Sequence, residues 1–184
     1  MKNAKKVIVL ALCAILLVAA SVMGTLAYLT STAEVKNTFT AGNVIITMDE
    51  AKVDEYGIVD ANANRVTENE YKLVPGHTYA KDPTIHVAAN SEECYLFVKI
   101  TKSANFTLVG MENWTQITGT DVWYYNQTAK AGDDVVVFNK ITYSASVEGN
   151  TTPSEQNLVV VAYAVQKDSF NDAQAAWNAT FGKT

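Results

Sequence analysis

The chain has 184 residues, with 14 Lys and Arg against 19 Asp and Glu, a formal net charge of -5 and 48% hydrophobic residues. That length buries the core of one ordinary domain and not comfortably of two, and the apolar content excludes a disordered chain. Lys2, Lys5 and Lys6 stand together at the front, so the rest is more acidic than the average, carries no basic block and does not fit a nucleic-acid partner held through its phosphates.

Residues 1–27 are predicted to be an export signal. Three lysines precede an uncharged stretch at 7–23, and small residues follow at Thr25 and Ala27 on either side of Leu26. This order predicts cleavage after Ala27, ahead of Tyr28, with Ala33 as a second small-residue site. A retained anchor is the other reading, because 7–23 lies near the lower length limit for crossing a bilayer. Cleavage leaves Cys94 as the one cysteine of a domain at 28–184, which then holds together without an internal disulfide.

Beyond the signal the apolar runs are short. Strands are predicted at 43–49, 71–74, 84–88, 94–101, 106–109, 122–125, 135–139, 141–146 and 158–166. Several alternate with a period of two: Val44, Ile46 and Met48 share a face, as do Ile85 and Val87. Cys94 shares one with Leu96 and Val98, which reads as a small buried hydrophobe. Turn residues separate the runs, among them Pro75-Gly76, Thr118-Gly119 and Ala131-Gly132-Asp133. The acidic stretch 50–69 reads as a long loop or an irregular hairpin. At the end, 169–179 reads as a short helix capped by Ser169 or Asn171, with Phe170, Ala173 and Trp177 spaced to face a sheet. Many short strands with frequent turns predict an all-β, jelly-roll-like antiparallel sandwich with a short C-terminal helix.

Chemical constellations are sparse. His77 and His86 are the only histidines; His86 alternates with Ile85 and Val87 and so points to solvent, while His77 follows the Pro75-Gly76 turn. With Asp82 they make either a two-histidine, one-carboxylate metal site or two surface histidines. Asp49, Glu50, Asp54 and Glu55 make either a hard-cation site, for calcium, or a solvated acidic loop. No His-Glu-x-x-His helix, nucleophile elbow or glycine-rich phosphate loop is present, so no catalytic residue is assigned and no cofactor is expected beyond a weak claim for calcium or zinc. Trp123, Tyr124 and Tyr125 place rings on both faces of a strand, as core or as a surface for carbohydrate or another subunit.

Gly24-Thr25-Leu26-Ala27-Tyr28-Leu29-Thr30 and then Asn37-Thr38-Phe39-Thr40-Ala41-Gly42-Asn43-Val44 resemble the start of the camelysin/TasA-like secreted proteins of Gram-positive bacteria. The resemblance continues through Leu73-Val74-Pro75-Gly76, Lys81-Asp82-Pro83-Thr84, Cys94-Tyr95-Leu96-Phe97-Val98-Lys99 and Val161-Ala162-Tyr163-Ala164-Val165-Gln166 to Ala176-Trp177. It implies a jelly-roll-like domain secreted to the cell surface or extracellular matrix, released by a dedicated signal peptidase. It also implies a homo-polymer, a biofilm fibre that other matrix proteins join, in which the mature amino-terminal segment completes a neighbour's sheet. Here that segment lies within 28–42 and carries Tyr28, Val35 and Phe39. An intramolecular first strand is the other reading of those residues. The same family carries a metalloendopeptidase label through camelysin, and no zinc motif stands in this chain to receive it. An adhesion or carbohydrate-binding module is the third function class.

Overall fold

Strand alternation organises residues 43–146 and 156–182, the part of the chain that the computed structural model describes. The predicted signal, its junction at Thr25, Ala27 and Tyr28, and the segment with Val35 and Phe39 lie outside the described residues. In chain order the strands are β1 (Ile46–Asp49), β2 (Thr78–Ala80), β3 (Thr84–Val87), β4 (Cys94–Lys102), β5 (Phe106–Val109), β6 (Trp114–Gln116), β7 (Val122–Tyr125), β8 (Asp134–Val136), β9 (Lys140–Tyr143) and β10 (Leu158–Gln166). They form three antiparallel sheets, in the orders β1-β3-β8, β10-β4-β7-β6 and β2-β9-β5. A 3-10 turn at Lys167–Ser169 leads to one helix, α1 (Ala173–Thr180). This is the all-β antiparallel sandwich with a short C-terminal helix that the strand pattern predicts.

The two faces of β4 explain the layering. Cys94, Leu96 and Val98 are fully buried on one face, in a core shared with Tyr79 of β2, Ile85 of β3, Phe106 of β5, Trp114 of β6 and Ile141 of β9. All three sheets therefore close on one apolar centre, where each large side chain removed from water contributes about 1.5–3 kcal/mol. Burial pushes the Cys94 thiol up to about 11, as expected of a small core hydrophobe. On the opposite face Tyr95 and Phe97 meet Ala173 and Ala176 of α1, with Phe170, Tyr163, Trp177 and Phe181 around them. The ring of Trp177 lies 5.1 Å from Phe97 and 4.6 Å from Phe181. The aromatic run of β7 divides in the same way: Trp123 and Tyr125 pack on the main core, and Tyr124 packs on the helix side.

Several boundaries differ from expectation, each for a local reason. Residues 71–74 are not a strand, because the Tyr79 hydroxyl takes their backbone groups. It accepts from the Val74 N–H at 2.6 Å and donates to the Lys72 carbonyl at 2.9 Å. The strand in that region is β2, beyond the Pro75-Gly76 turn, where Gly76 has φ +78° and the His77 N–H closes on the Val74 carbonyl at 3.0 Å. The three-residue β6 was not predicted. Strands β1, β8 and β9 are shorter than expected, and Val137 and Phe138 are fully buried although they leave the ladder. Ser169 belongs to the 3-10 turn, so α1 starts later than predicted. Its cap is Asp172, whose carboxylate accepts from the Ala175 N–H at 2.7 Å. Residues 50–69 do form an irregular hairpin, held by isolated bridges of Glu50 with Val66 and of Val53 with Val59.

Candidate functional site: an open strand edge

Among the described residues the three sheets have six edges, and five of them are short. Strands β1, β8, β6, β2 and β5 have three or four residues each, and β1 and β8 carry Asp49 and Asp134. The outer side of β2 is also approached by the hairpin, where the Ala80 N–H donates to the Gly57 carbonyl at 3.3 Å. The sixth edge, β10, runs for nine residues as Leu-Val-Val-Val-Ala-Tyr-Ala-Val-Gln, without a charge or a proline. Among the described residues it pairs on one side only, with β4. Long, uncharged edges invite pairing, and proteins that avoid it shorten, charge or cover them.

The ladder shows which groups of β10 are open. The Ile100 N–H donates to the Asp121 carbonyl at 3.0 Å, toward the β7 side of β4. Cys94 likewise exchanges two bonds with Ala129, at 2.9 and 2.8 Å. The even residues of β4 therefore turn their backbone groups away from β10. Their partners Val160, Ala162 and Ala164 must turn theirs outward, to the free edge, since antiparallel pairs alternate between bonded and open. The side chains of Leu158, Val160, Ala162 and Ala164 face the main core but are only half-buried.

The free edge of β1 faces the same region. Val87 bonds with Asp133 and Gly132 on the β8 side, so its β1 partner Ile46 is an open pair and sends its backbone groups outward, as does Met48. Glu50, next in that set, does bond outward, to Val66 at 2.7 and 2.8 Å. No ladder joins β1 to β10, and a cleft between them is lined by Met48, Asp49, Pro83, Leu158, Val159 and Val160.

Three of the residues weighed as metal ligands gather nearby, around an arginine. Arg65, the chain's only arginine, comes from the hairpin and donates from Nε to Asp49 Oδ1 at 2.5 Å. Its other nitrogens reach Asp82 Oδ2 at 3.0 Å and Thr84 Oγ1 at 2.8 Å. His86 bridges Asp49 Oδ1 at 2.9 Å and Asp134 Oδ1 at 2.6 Å, so it clasps β1 and β8 across β3 rather than standing free in solvent. Burial alone would raise the Asp49 carboxyl, but hydrogen bonds from Arg65 and His86 outweigh it and hold that carboxyl below its ordinary range. Hydrogen bonds to Asp49 and then Asp134 raise His86 above the ordinary imidazole value.

The remaining candidates lie elsewhere. His77 rests edge-on against Tyr79 at 4.6 Å between ring centres, with Nε2 3.3 Å from the Tyr56 carbonyl. Asp54 shapes the hairpin tip, accepting from the Tyr56 and Ile58 N–H groups at 3.0 and 2.9 Å. Among the described residues no group of three or more His, Cys, Asp or Glu is arranged to hold a metal ion, and no helix is long and apolar enough to cross a membrane. Arg65 escaped sequence reasoning. Its one signal is that it is a single arginine among lysines, the residue whose planar fork suits two carboxylates at once. Compared with known proteins, the chain matches no family model, no curated protein and no solved structure.

Proposed function

We propose that this is a secreted structural protein of the cell surface or biofilm matrix that polymerises head-to-tail by strand addition. In this reading segment 28–42 of one copy, centred on 28–39 with Tyr28, Val35 and Phe39, pairs along the free edge of β10 in the next. The observation that carries the reading is the nine-residue, uncharged edge of β10 with its half-buried core-facing side chains. At about 3.3 Å per residue such an edge offers roughly 30 Å of ladder, which the twelve residues of 28–39, about 40 Å when extended, are long enough to span. A contact of this kind joins two different surfaces and does not close on itself, so it propagates as a filament. The resemblance to camelysin/TasA-like proteins points the same way.

The test compares purified chain lacking 1–27 with chain also lacking 28–39, by electron microscopy and sedimentation. Filaments from the first and monomers from the second are expected. Monomers from both, across concentration and pH, overturn the proposal, as does a monomer whose own 28–39 segment is stably paired with its β10.

A further inference from the structure

We propose that Lys81 and Asn69 are a self-modification site, joined by an amide bond between their side chains, with Glu50 as the proton carrier. Glu50 follows β1 and is 5% exposed, one of only two buried polar residues among those described. Its two carboxylate oxygens hold two different partners. Oε2 accepts from Lys81 Nζ at 2.6 Å, with the Lys81 and Glu50 side chains 13% and 6% exposed. Oε1 accepts from Asn69 Nδ2 at 3.0 Å. An amine and a carboxamide are thus held on the two oxygens of one buried carboxylate, which gives the nucleophile and the leaving nitrogen a common proton carrier.

The rest of the Asn69 amide is also placed for reaction. Its Oδ1 accepts from the Val53 N–H at 3.1 Å, and its Nδ2 also donates to the Ala51 carbonyl at 2.9 Å. The first bond polarises the C=O and meets the charge that develops on oxygen when Cγ is attacked. Lys81 Nζ also sits 5.5 Å from the centre of the Tyr71 ring, so aromatic surface rather than bulk water covers one side of it.

The reaction needs no other reagent. Glu50 Oε2 takes a proton from the Lys81 ammonium, and the freed lone pair on Nζ attacks Asn69 Cγ. The Nζ–Cγ bond forms as the C=O electrons move onto Oδ1, beneath the Val53 N–H. When the carbonyl re-forms, the Cγ–Nδ2 bond breaks, and the departing nitrogen has received protons through Glu50. Nζ gives up two protons in all, and both end on that nitrogen, which leaves as ammonium. Nothing is oxidised or reduced. An open cleft lined by Glu50, Asn69, Tyr71 and Lys81 lets it out. The product ties the return of the 50–69 hairpin to the residue after β2, and Glu50 keeps the new amide N–H as a partner.

Intact-mass spectrometry with peptide mapping of the purified chain tests this. The expected mass is lower than that of the sequence by one ammonia, with a branched peptide joining positions 69 and 81. Lys81→Arg keeps the ion pair and restores the full mass. Glu50→Gln removes the proton carrier and also restores the full mass, with circular dichroism reporting whether each variant is folded. Asn69→Asp forms the same amide by losing water, so its deficit changes from one ammonia to one water. A wild-type chain of full mass whose two peptides separate overturns the proposal. So does an ammonia deficit that survives in Lys81→Arg, which places the loss at another residue.

Discussion

A proline at Ala162 is the sharpest probe of the β10 edge. Ala162 pairs with Val98 in an open pair, so its N–H belongs to the free edge and not to the β4 ladder. Ala162→Pro therefore removes a group that the incoming strand needs and no ladder bond to β4. Proline is tolerated on the free side of an edge strand, and the residue before it, Val161, is already extended. The expected change in folding stability is within about 1 kcal/mol. The control is Val161→Pro, one residue away. Val161 pairs with Lys99 and does bond into the ladder, so the same change deletes a bond and orphans a carbonyl, at about 1–3 kcal/mol. Urea unfolding measures the two stabilities, and a filament assay measures assembly. A folded Ala162→Pro chain that stays monomeric is the expected result. If it assembles at the parental rate, β10 is not the acceptor; if it is as destabilised as Val161→Pro, the ladder parity is wrong.

Other consequences follow from single contacts. Asp172→Ala removes the cap of α1 and is expected to lower stability by about 1 kcal/mol in chemical denaturation, with Asp172→Asn largely preserving it. Gly57 has φ +79°, and a methyl group there would sit 2.9 Å from the Tyr79 backbone. Gly57→Ala should therefore cost about 1–3 kcal/mol, whereas alanine at Gly119, with φ +78° and no neighbour, meets only the backbone penalty. The His86 clasp predicts a pH dependence with a definite sign. Its folded-state pKa is raised, so its contribution is complete below the ordinary imidazole value near ~6.5 and is lost as pH rises through the folded value. Asp49 is lowered, so its contribution is present above about 3.9 and is lost as pH falls through its folded value. Between pH 6 and 8 the wild type should lose up to about 1 kcal/mol relative to His86→Gln, read from urea midpoints across that range.

How much was legible depended on whether a signal was local. Strands β5, β7 and β10 match their predicted bounds because apolar alternation ran unbroken between turn residues. Strands β2 and β6 have three residues each, too few for a period of two to show. The error at 71–74 is different: the composition suited a strand, but the hydroxyl of Tyr79, five and seven residues beyond its partners, supplied bonds that a ladder would have supplied. His86, Asp49 and Asp82 stand out in the sequence by residue type, but their surroundings include Arg65, which reaches Asp49 and Asp82 from 16 and 17 residues away. The Glu50–Lys81 pair spans 31 residues and the Glu50–Asn69 bond 19, so neither has a spacing that a motif would record.

The open edge and the Glu50 site share a wall, and that sets an order of events. The cleft beside Glu50, Asn69 and Lys81 is also lined by Leu158 and Val159 at the start of β10. A strand pairing along that edge covers those two residues and narrows the route by which ammonia leaves. If both proposals hold, the amide bond is expected to form in the monomer, before assembly, so that monomer and filament carry the same mass deficit. The two proposals nevertheless fail separately, because one rests on unpaired backbone and the other on side-chain chemistry. A deficit without filaments keeps the bond and discards the edge. Filaments of full mass do the reverse. Filaments that lose ammonia only after assembly would leave both in place and reverse their order, showing that the cleft stays open under the added strand.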